Sequence, residues 1–386
     1  MRILHTADLH LGRKLHEHSL SEDQWHILSQ ILQIAKDESV FAVLIAGDVY
    51  DKAQPSTEAI SMLDWFLTSL AEAGIYTFIS SGNHDSQTRL AFGGKLLRAS
   101  NIYISGPIDG NPLVCTCHDE FGPVNFYLMS HVKPALARAH FSEEISTHHE
   151  AAKRLVESWD INQEDRNVII AHQFVTHSSN GPIRSESETI FIGGIDNVDA
   201  SVFECFEYTA LGHLHCQQSV YKSNICYSGS PLKYSFSEAR HKKCVLVADI
   251  GQKGQPIETR AVALSPLRDV RQVRGKLGDI IAAGDGDSGR TDFIRATLTD
   301  NEPVHDALSQ LRDIYPNLLS ISFEASRKNS PGPDAQKQPG QMQADPASLF
   351  SSFFEMQNNR ELSPQQKDLL VRAMEAMDMH REESLA

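Results

Sequence analysis

Five short polar clusters in the sequence carry side chains that bind metal ions and handle protons. They are Asp8-Leu9-His10, Gly47-Asp48, Gly82-Asn83-His84-Asp85, Ala171-His172 and Gly212-His213-Leu214-His215. Carboxylate, imidazole and amide groups supply oxygen and nitrogen donors with no thiolate. That set suits manganese, iron or zinc at an open hydrolytic site rather than a structural zinc site. Two ions need a bridging ligand, and a carboxylate such as Asp48 can bridge. On an extended segment His213 and His215 point both rings to one side, so each can serve a different ion. The chain holds 18 histidines, and most of them, such as His16, His18, His148 and His149, read as surface residues. A lone Asp-x-His has little weight; the full series of matching ligand types has much more.

The elements that must position these clusters are apolar strands. Arg2–Thr6, Phe41–Ala46 and Tyr76–Ser80 precede the first three clusters. Between them, Ser21–Glu38 and Ser56–Ala73 show helical spacing. Ser21 and Gln24 fit a capping box, and Trp25, Leu28, Ile31, Leu32 and Ala35 form the apolar face. In the second helix Ile60, Leu63, Phe66, Leu67 and Leu70 point inward and Gly74 is the stop. Further strands are expected at Asn125–Met129, Asn167–Ala171, Glu207–Ala210, Ile225–Ser228 and Lys243–Asp249. They come with fewer helices, which suggests antiparallel additions. The strand–helix alternation makes the core an α/β layered sheet. Ligands of open α/β sheets bind outside the carboxyl ends of the strands. Clusters that follow five different strands therefore converge in space.

A second unit begins near Arg274. It reads as a helix at Lys276–Ala282, a glycine-rich loop at Gly284–Arg290, a strand at Asp292–Leu298, a helix at Val304–Tyr315 and a strand at Leu318–Phe323. Arg327–Pro346 is rich in Pro, Gly and Gln and reads as a flexible linker that spans roughly 25 Å. Beyond it, Leu349, Phe350, Phe353, Phe354, Leu369, Leu370, Met374 and Met377 make two short amphipathic helices around Leu362-Ser363-Pro364. These helices hold too many apolar residues to stay solvated and need a partner surface. The plain alternative is a terminal helix folded back on its own domain.

Composition sets limits. At 386 residues, 41% hydrophobic and 22% charged, the chain is long enough for a sizeable core and ordinary for a globular protein. Lys+Arg 35 against Asp+Glu 50 gives a net charge of −15, so charge alone does not coat nucleic acid. Bound cations can still supply local positive charge to a nucleic-acid substrate. Six cysteines are too few for a disulfide scaffold. Cys115-Thr-Cys117 places two thiols on one strand face, and free cytosolic cysteines are the simpler reading. The N-terminal residues lack the apolar run of a signal peptide, and no stretch reaches the length of a spanning helix; the expected compartment is the cytoplasm, with no membrane partner. Lys233, Tyr234, Arg240, His241, Lys242 and Lys243 are either phosphate contacts or a solvated surface.

The cluster series resembles the calcineurin-like metallophosphoesterase family. The flanking segments His5–Gly12, Ala46–Asp51, Ala210–His215 and Tyr227–Glu238 resemble that family's DNA-nuclease branch, whose members work with a coiled-coil ATPase. The resemblance covers residues 1 to about 325, and the tail also fits. It implies a four-layer α/β sandwich with a small α+β capping domain and a C-terminal helical tail. The implied division is a nuclease domain at 1–273, a DNA-binding cap at 274–326, a linker at 327–346 and a partner-docking tail at 347–386. It implies two divalent ions, with manganese preferred. Asp8, His10 and His215 would hold the first, Asn83, His172 and His213 the second, and Asp48 would bridge. His84 would stabilise the transition state or protonate the leaving oxygen, with Asp85 orienting its ring.

The expected function is a manganese-dependent DNA nuclease acting with an ATPase subunit that binds the tail. It would be an exonuclease on duplex ends and an endonuclease on single strands and hairpins, serving DNA repair, replication and recombination. Pairing of two copies stays open. One rival is a small-molecule or nucleotide phosphoesterase, which leaves the cap, linker and tail unexplained. The other is a non-catalytic interaction subunit, which leaves the complete ligand series unexplained.

Overall fold

Strands of branched apolar residues build two sheets of six strands each. The computed structural model describes residues 1–108, 112–177, 182–188, 196–300, 304–324, 350–351, 354 and 362–372. In the first sheet the order is Glu258–Ala263, Cys244–Asp249, Arg2–Thr6, Ala42–Ala46, Tyr76–Ser80, Ile102–Ile104. In the second it is Gln218–Ser219, Ile225–Tyr227, Tyr208–Gly212, Arg166–His172, Gly122–Met129, Leu113–Asp119.

The strand period of two sorts the side chains into layers. Ile3, Leu44 and Phe78 of one sheet meet Phe126, Val168, Ile170 and Tyr208 of the other. The Phe78 and Phe126 rings stack at 4.3 Å between centroids. The alternate residues Leu4, Val43, Ile45 and Ile79 face the helices Ser21–Asp37 and Thr57–Glu72. Tyr127, Met129, Ile169 and Leu211 face Pro134–Phe141 and His148–Glu157. The result is the four-layer helix–sheet–sheet–helix sandwich that the resemblance implies.

Several local expectations are corrected. Ser21 and Gln24 form no capping box: Leu20 is the N-cap and no side chain caps that helix. Gln24 is buried and bonds instead to the loop after the first strand, where its amide donates to His10 O and its oxygen accepts from the Gly12 N–H. Ile60 is 49% exposed, and Ala59 and Met62 take the inward positions of its helix. Of the later strands, Cys244–Asp249 is antiparallel to its neighbour, as expected. Arg166–His172, Tyr208–Gly212 and Ile225–Tyr227 pair in parallel, because the connections between them cross outside the sheet. His148 is buried rather than on the surface.

The small sheet has the parallel strands Val270–Gly275, Phe293–Leu298 and Leu318–Phe323. The helices Leu277–Gly284 and Ala307–Ile314 connect them over a core of Ile280, Ile294, Leu298, Leu311 and Tyr315. Its first strand starts at Val270, ahead of the expected division at 274, because Val270–Gly275 needs the neighbouring strand Phe293–Leu298 to pair with. This sheet lies in one compact unit with the sandwich. Arg268 pairs with Asp23 at 2.5 Å and Lys233 with Asp269 at 2.8 Å. Phe293 joins the sandwich core, and the Arg295 guanidinium lies 4.3 Å from the Phe236 ring centroid.

The remaining unit comprises residues 191–194 and 327–386. The expected linker, with Leu349, Phe353, Met374 and Met377, lies outside the described residues. Residues 364–372 are helical, as the pattern after Pro364 predicts. Ser363 and Gln366 cap that helix reciprocally: the Ser363 N–H donates to Gln366 Oε1 at 2.9 Å and the Gln366 N–H to Ser363 Oγ at 3.3 Å. Among the described residues no helix is long and apolar enough to cross a membrane.

Candidate metal centre

Asp8, Asp48 and Asn83 follow the carboxyl ends of three strands of the first sheet, and His172 and His213 lie at the carboxyl ends of two of the second. The strand-end turns are tight. Asp8, His10, Asp48 and His213 have φ of +53°, +43°, +47° and +107°. Non-glycine residues hold such angles only where surrounding bonds enforce them. Here the Asp8 N–H donates to Gly47 O at 3.0 Å and the His10 N–H to Asp48 O at 2.9 Å. The Gln24 carboxamide donates to His10 O at 2.7 Å and accepts from the Gly12 N–H at 2.9 Å. Two glycines let the strands approach. A β-carbon on Gly82 would lie 2.0 Å from the Asp48 carboxylate, and one on Gly212 would lie 1.8 Å from Ala46 O.

These turns aim donor atoms into one space. Asp8, His10 and His215 form one group, His10, Asp48 and His84 a second, and Asp8, Asp48 and His172 a third, each with its ligand atoms within 4.8 Å of one another. His10 Nε2 is 3.3 Å from His215 Nε2 and 3.6 Å from Asp48 Oδ2. Asn83 Oδ1 lies 3.0 Å from His172 Nε2 and 3.1 Å from His213 Nδ1. The structure thus gathers Asp8, His10, Asp48, Asn83, His172, His213 and His215, with His84 at the rim.

The donor chemistry fits divalent cations. His172 Nδ1 lies 2.9 Å from Ala46 O, which can only accept, so the ring proton sits there. Nε2 is then a bare acceptor facing another acceptor, Asn83 Oδ1, at 3.0 Å. A cation between them satisfies both. His10 Nδ1 and His213 Nε2 are buried with no hydrogen-bond partner in the structure. Burial holds His10, His172 and His213 below the usual imidazole range, with neighbouring imidazoles adding to this for His10 and His213. Neutral rings are what a metal requires. Burial and then Asp48 push the Asp8 carboxyl well up. Burial works on Asp48 too, but the His172 and His84 imidazoles outweigh it and hold that carboxyl below its usual value. A bound cation relieves the cost of burying two carboxylates together.

Asp85 does a different job from the expected one. Its carboxylate accepts the N–H groups of Gly82 at 2.8 Å, Tyr50 at 2.9 Å and Val49 at 3.1 Å. It clamps the turn after Asp48 to the turn that carries Asn83 and His84. Burial, then Asp48, pushes it up to about 7. The His84 ring is held instead by Asp51, whose carbonyl takes the Nδ1 proton at 2.9 Å. The backbone N–H groups lie under the turn and draw the Asp85 side chain inward.

Sequence reasoning missed Gln24, Asp51, His131, Glu188 and Glu238. His131 follows the strand Gly122–Met129 and bonds to His172 O at 2.9 Å, so the strand-end rule could have found it. Glu188 accepts the His215 N–H at 2.7 Å and has no local signature. Of the basic run, Arg240 and Lys242 are exposed, whereas Lys233 is paired with Asp269 and Lys243 with Glu238. Tyr234 Oη donates to Leu9 O at 2.5 Å. Cys115 and Cys117 are free thiols with sulfurs 3.8 Å apart.

The chain is similar to known proteins over most of its length. Residues 1–217 match the family described as calcineurin-like phosphoesterase, and residues 266–358 match the type 5 capsule protein repressor C-terminal domain. The SbcD component of the nuclease SbcCD from Staphylococcus epidermidis is 32% identical over 95% of this chain and 96% of its own. Its counterpart from Staphylococcus saprophyticus is 34% identical over 83% of this chain and 84% of its own. A dimetal phosphatase from Danio rerio aligns at a TM-score of 0.38 and 13% identity, over 69% of this chain and 99% of its own. The candidate metal-binding groups at the strand ends, the sandwich that carries them and the matches to the family and to the two staphylococcal nucleases place the chain in the calcineurin-like phosphoesterase family, within its SbcD branch, as a metal-dependent phosphodiesterase.

Proposed function

We propose that this protein is the nuclease subunit of an SbcCD-like complex and hydrolyses DNA phosphodiesters with two manganese ions. The observation that carries this reading is the pair of facing acceptors, His172 Nε2 and Asn83 Oδ1, inside a ring of further ligands. Asp8, His10 and His215 would hold one ion, Asn83, His172 and His213 the other, and Asp48 would bridge. When bound, such a pair supplies a water of lowered pKa and neutralises the charge of the phosphodiester.

The protein's own groups do the rest. Asp85 and Gln24 hold the ligand turns in their left-handed conformations. With Nδ1 committed to Asp51 O, His84 turns Nε2 toward the site, 3.9 Å from Asp48 Oδ2. In its imidazolium form the ring carries a second proton on Nε2. As the scissile P–O bond breaks, the departing oxygen takes that proton and leaves the neutral ring with Nδ1–H on Asp51 O, a step typically worth about 10²–10⁴ in rate. The small sheet beside Phe236 borders the same face and serves as the cap that places DNA. With a net charge of −15, attraction for DNA comes from the metals, local basic groups and the partner.

The partner is an SbcC-like ATPase engaged by the tail helices, which lay an apolar face into its groove. The test is hydrolysis of labelled duplex, hairpin and single-stranded DNA with Mn²⁺, with and without that ATPase. Asp48→Ala should abolish cleavage. Truncation after Pro346 should spare cleavage of single strands and lose ATP-stimulated cleavage of duplex ends. Hydrolysis of nucleotide phosphomonoesters with no action on DNA overturns the assignment. Full-strength ATPase binding by the truncated chain overturns the docking role.

A further inference from the structure

Behind His215 lies a buried ion pair that the reaction does not call for. His215 Nδ1 is 2.9 Å from Ser187 Oγ and 3.3 Å from Glu238 Oε1. The single hydroxyl proton of Ser187 goes to Glu238 Oε1 at 2.5 Å, so Ser187 faces the ring as an acceptor. Glu238 is 0% exposed, and its Oε2 lies 2.5 Å from Lys243 Nζ. Lys243 also donates to His215 O at 2.8 Å and to Ser230 Oγ at 2.7 Å. The Tyr234 N–H reaches Glu238 Oε1 at 3.2 Å. Everything that meets Nδ1 accepts, so the ring proton is fixed there. Nε2 is left bare and points into the group formed with Asp8 and His10.

We propose that Glu238 is a positioning residue for the ion held by Asp8, His10 and His215. Through Ser187 and by its own charge it fixes the ring's tautomer and angle and strengthens Nε2 as a donor. Lys243 keeps that carboxylate in place and ties it to the His215 backbone. A carboxylate behind a ligating imidazole raises its basicity, and loss of such a partner typically lowers metal affinity about 10–100-fold. Packing alone gives no reason for the charge, since burying an ion pair roughly breaks even against apolar groups. The proposal rests on His215 being a ligand.

The experiment uses the full chain and Mn²⁺ alone, with affinity and stoichiometry read by equilibrium dialysis and metal-free melting read alongside. Glu238→Gln should weaken one of the two Mn²⁺ sites about 10–100-fold and leave the other at wild-type affinity. Glu238→Asp should recover part of the loss. Ser187→Ala keeps the Glu238–Lys243 pair and should weaken the same site. A general packing defect would weaken both sites and lower the melting temperature together. His215→Ala should remove that Mn²⁺ entirely; if it keeps both ions, the ligand assignment itself fails. If His215→Ala loses one ion while Glu238→Gln binds both like wild type, only the positioning role fails. Should Glu238→Gln not fold, wild-type Mn²⁺ affinity in Ser187→Ala overturns the proposal.

Discussion

Replacing Gln24 with methionine should loosen the first ligand turn from behind. Gln24 is 1% exposed and lies in the helix Ser21–Asp37, away from the donor atoms. Its amide donates to His10 O at 2.7 Å and to Leu9 O at 3.3 Å, and its oxygen accepts from the Gly12 N–H at 2.9 Å. Methionine has similar length and none of these groups. Leu9 O keeps Tyr234 Oη at 2.5 Å and stays satisfied. His10 O and the Gly12 N–H lose the Gln24 bond. His10 O keeps the Arg13 N–H at 3.0 Å, so only the Gly12 N–H is left without a partner, and the loss should be about 1–3 kcal/mol. The assay is urea unfolding of the metal-free protein, in which the midpoint should fall at unchanged slope. The left-handed angles at Asp8 and His10 depend on this anchor, so Mn²⁺ affinity should fall as well. An unchanged midpoint with unchanged Mn²⁺ binding would refute the view that Gln24 holds the turn.

Other outcomes follow from the same geometry. His84→Gln should keep both metals and lose about 10²–10⁴ in turnover, with metal content measured beside rate; loss of one ion would make His84 a ligand. Gly212→Ala puts a methyl 1.8 Å from Ala46 O and 2.8 Å from His172 Nδ1. It should cost about 3 kcal/mol or more and displace His172, and near-wild-type melting would show that the two sheets are not pressed together there. The Arg166 guanidinium bonds Asp119 at 2.5 and 3.0 Å and holds its carboxyl well below the usual carboxylate range. A depressed acid adds stability above its unfolded value, near pH 4, and loses it as pH falls further. Asp119→Asn should therefore be less stable than wild type at pH 7 and converge with it in acid; a gap that stays constant from pH 7 to pH 3 would contradict this.

Much of the site was legible in the chain itself. Asp8, Asp48, Asn83, His172 and His213 each follow an apolar run, and a run of that length forms a strand whose end faces the ligand side of an α/β sheet. Their donor types named metal chemistry without any coordinates. The layers were legible for the same reason, since alternation within Arg2–Thr6 or Ala42–Ala46 leaves both faces apolar and demands cover on each. What tertiary structure alone decided were the partners of buried polar groups. Gln24 reads as a helix cap, Asp85 as a companion of His84 and Glu238 only as the end of the family-like segment Tyr227–Glu238. Each instead bonds groups brought in from elsewhere in the chain: Gln24 the turn after the first strand, Asp85 the turn after the second, and Glu238 the His215 ring. The parallel pairing of Arg166–His172 with Tyr208–Gly212 and the exposure of Ile60 have the same origin. Local periodicity reports which face of an element is apolar. Which distant backbone group meets a polar side chain depends on how the elements pack, and that contact is made only once elements far apart in the chain have come together.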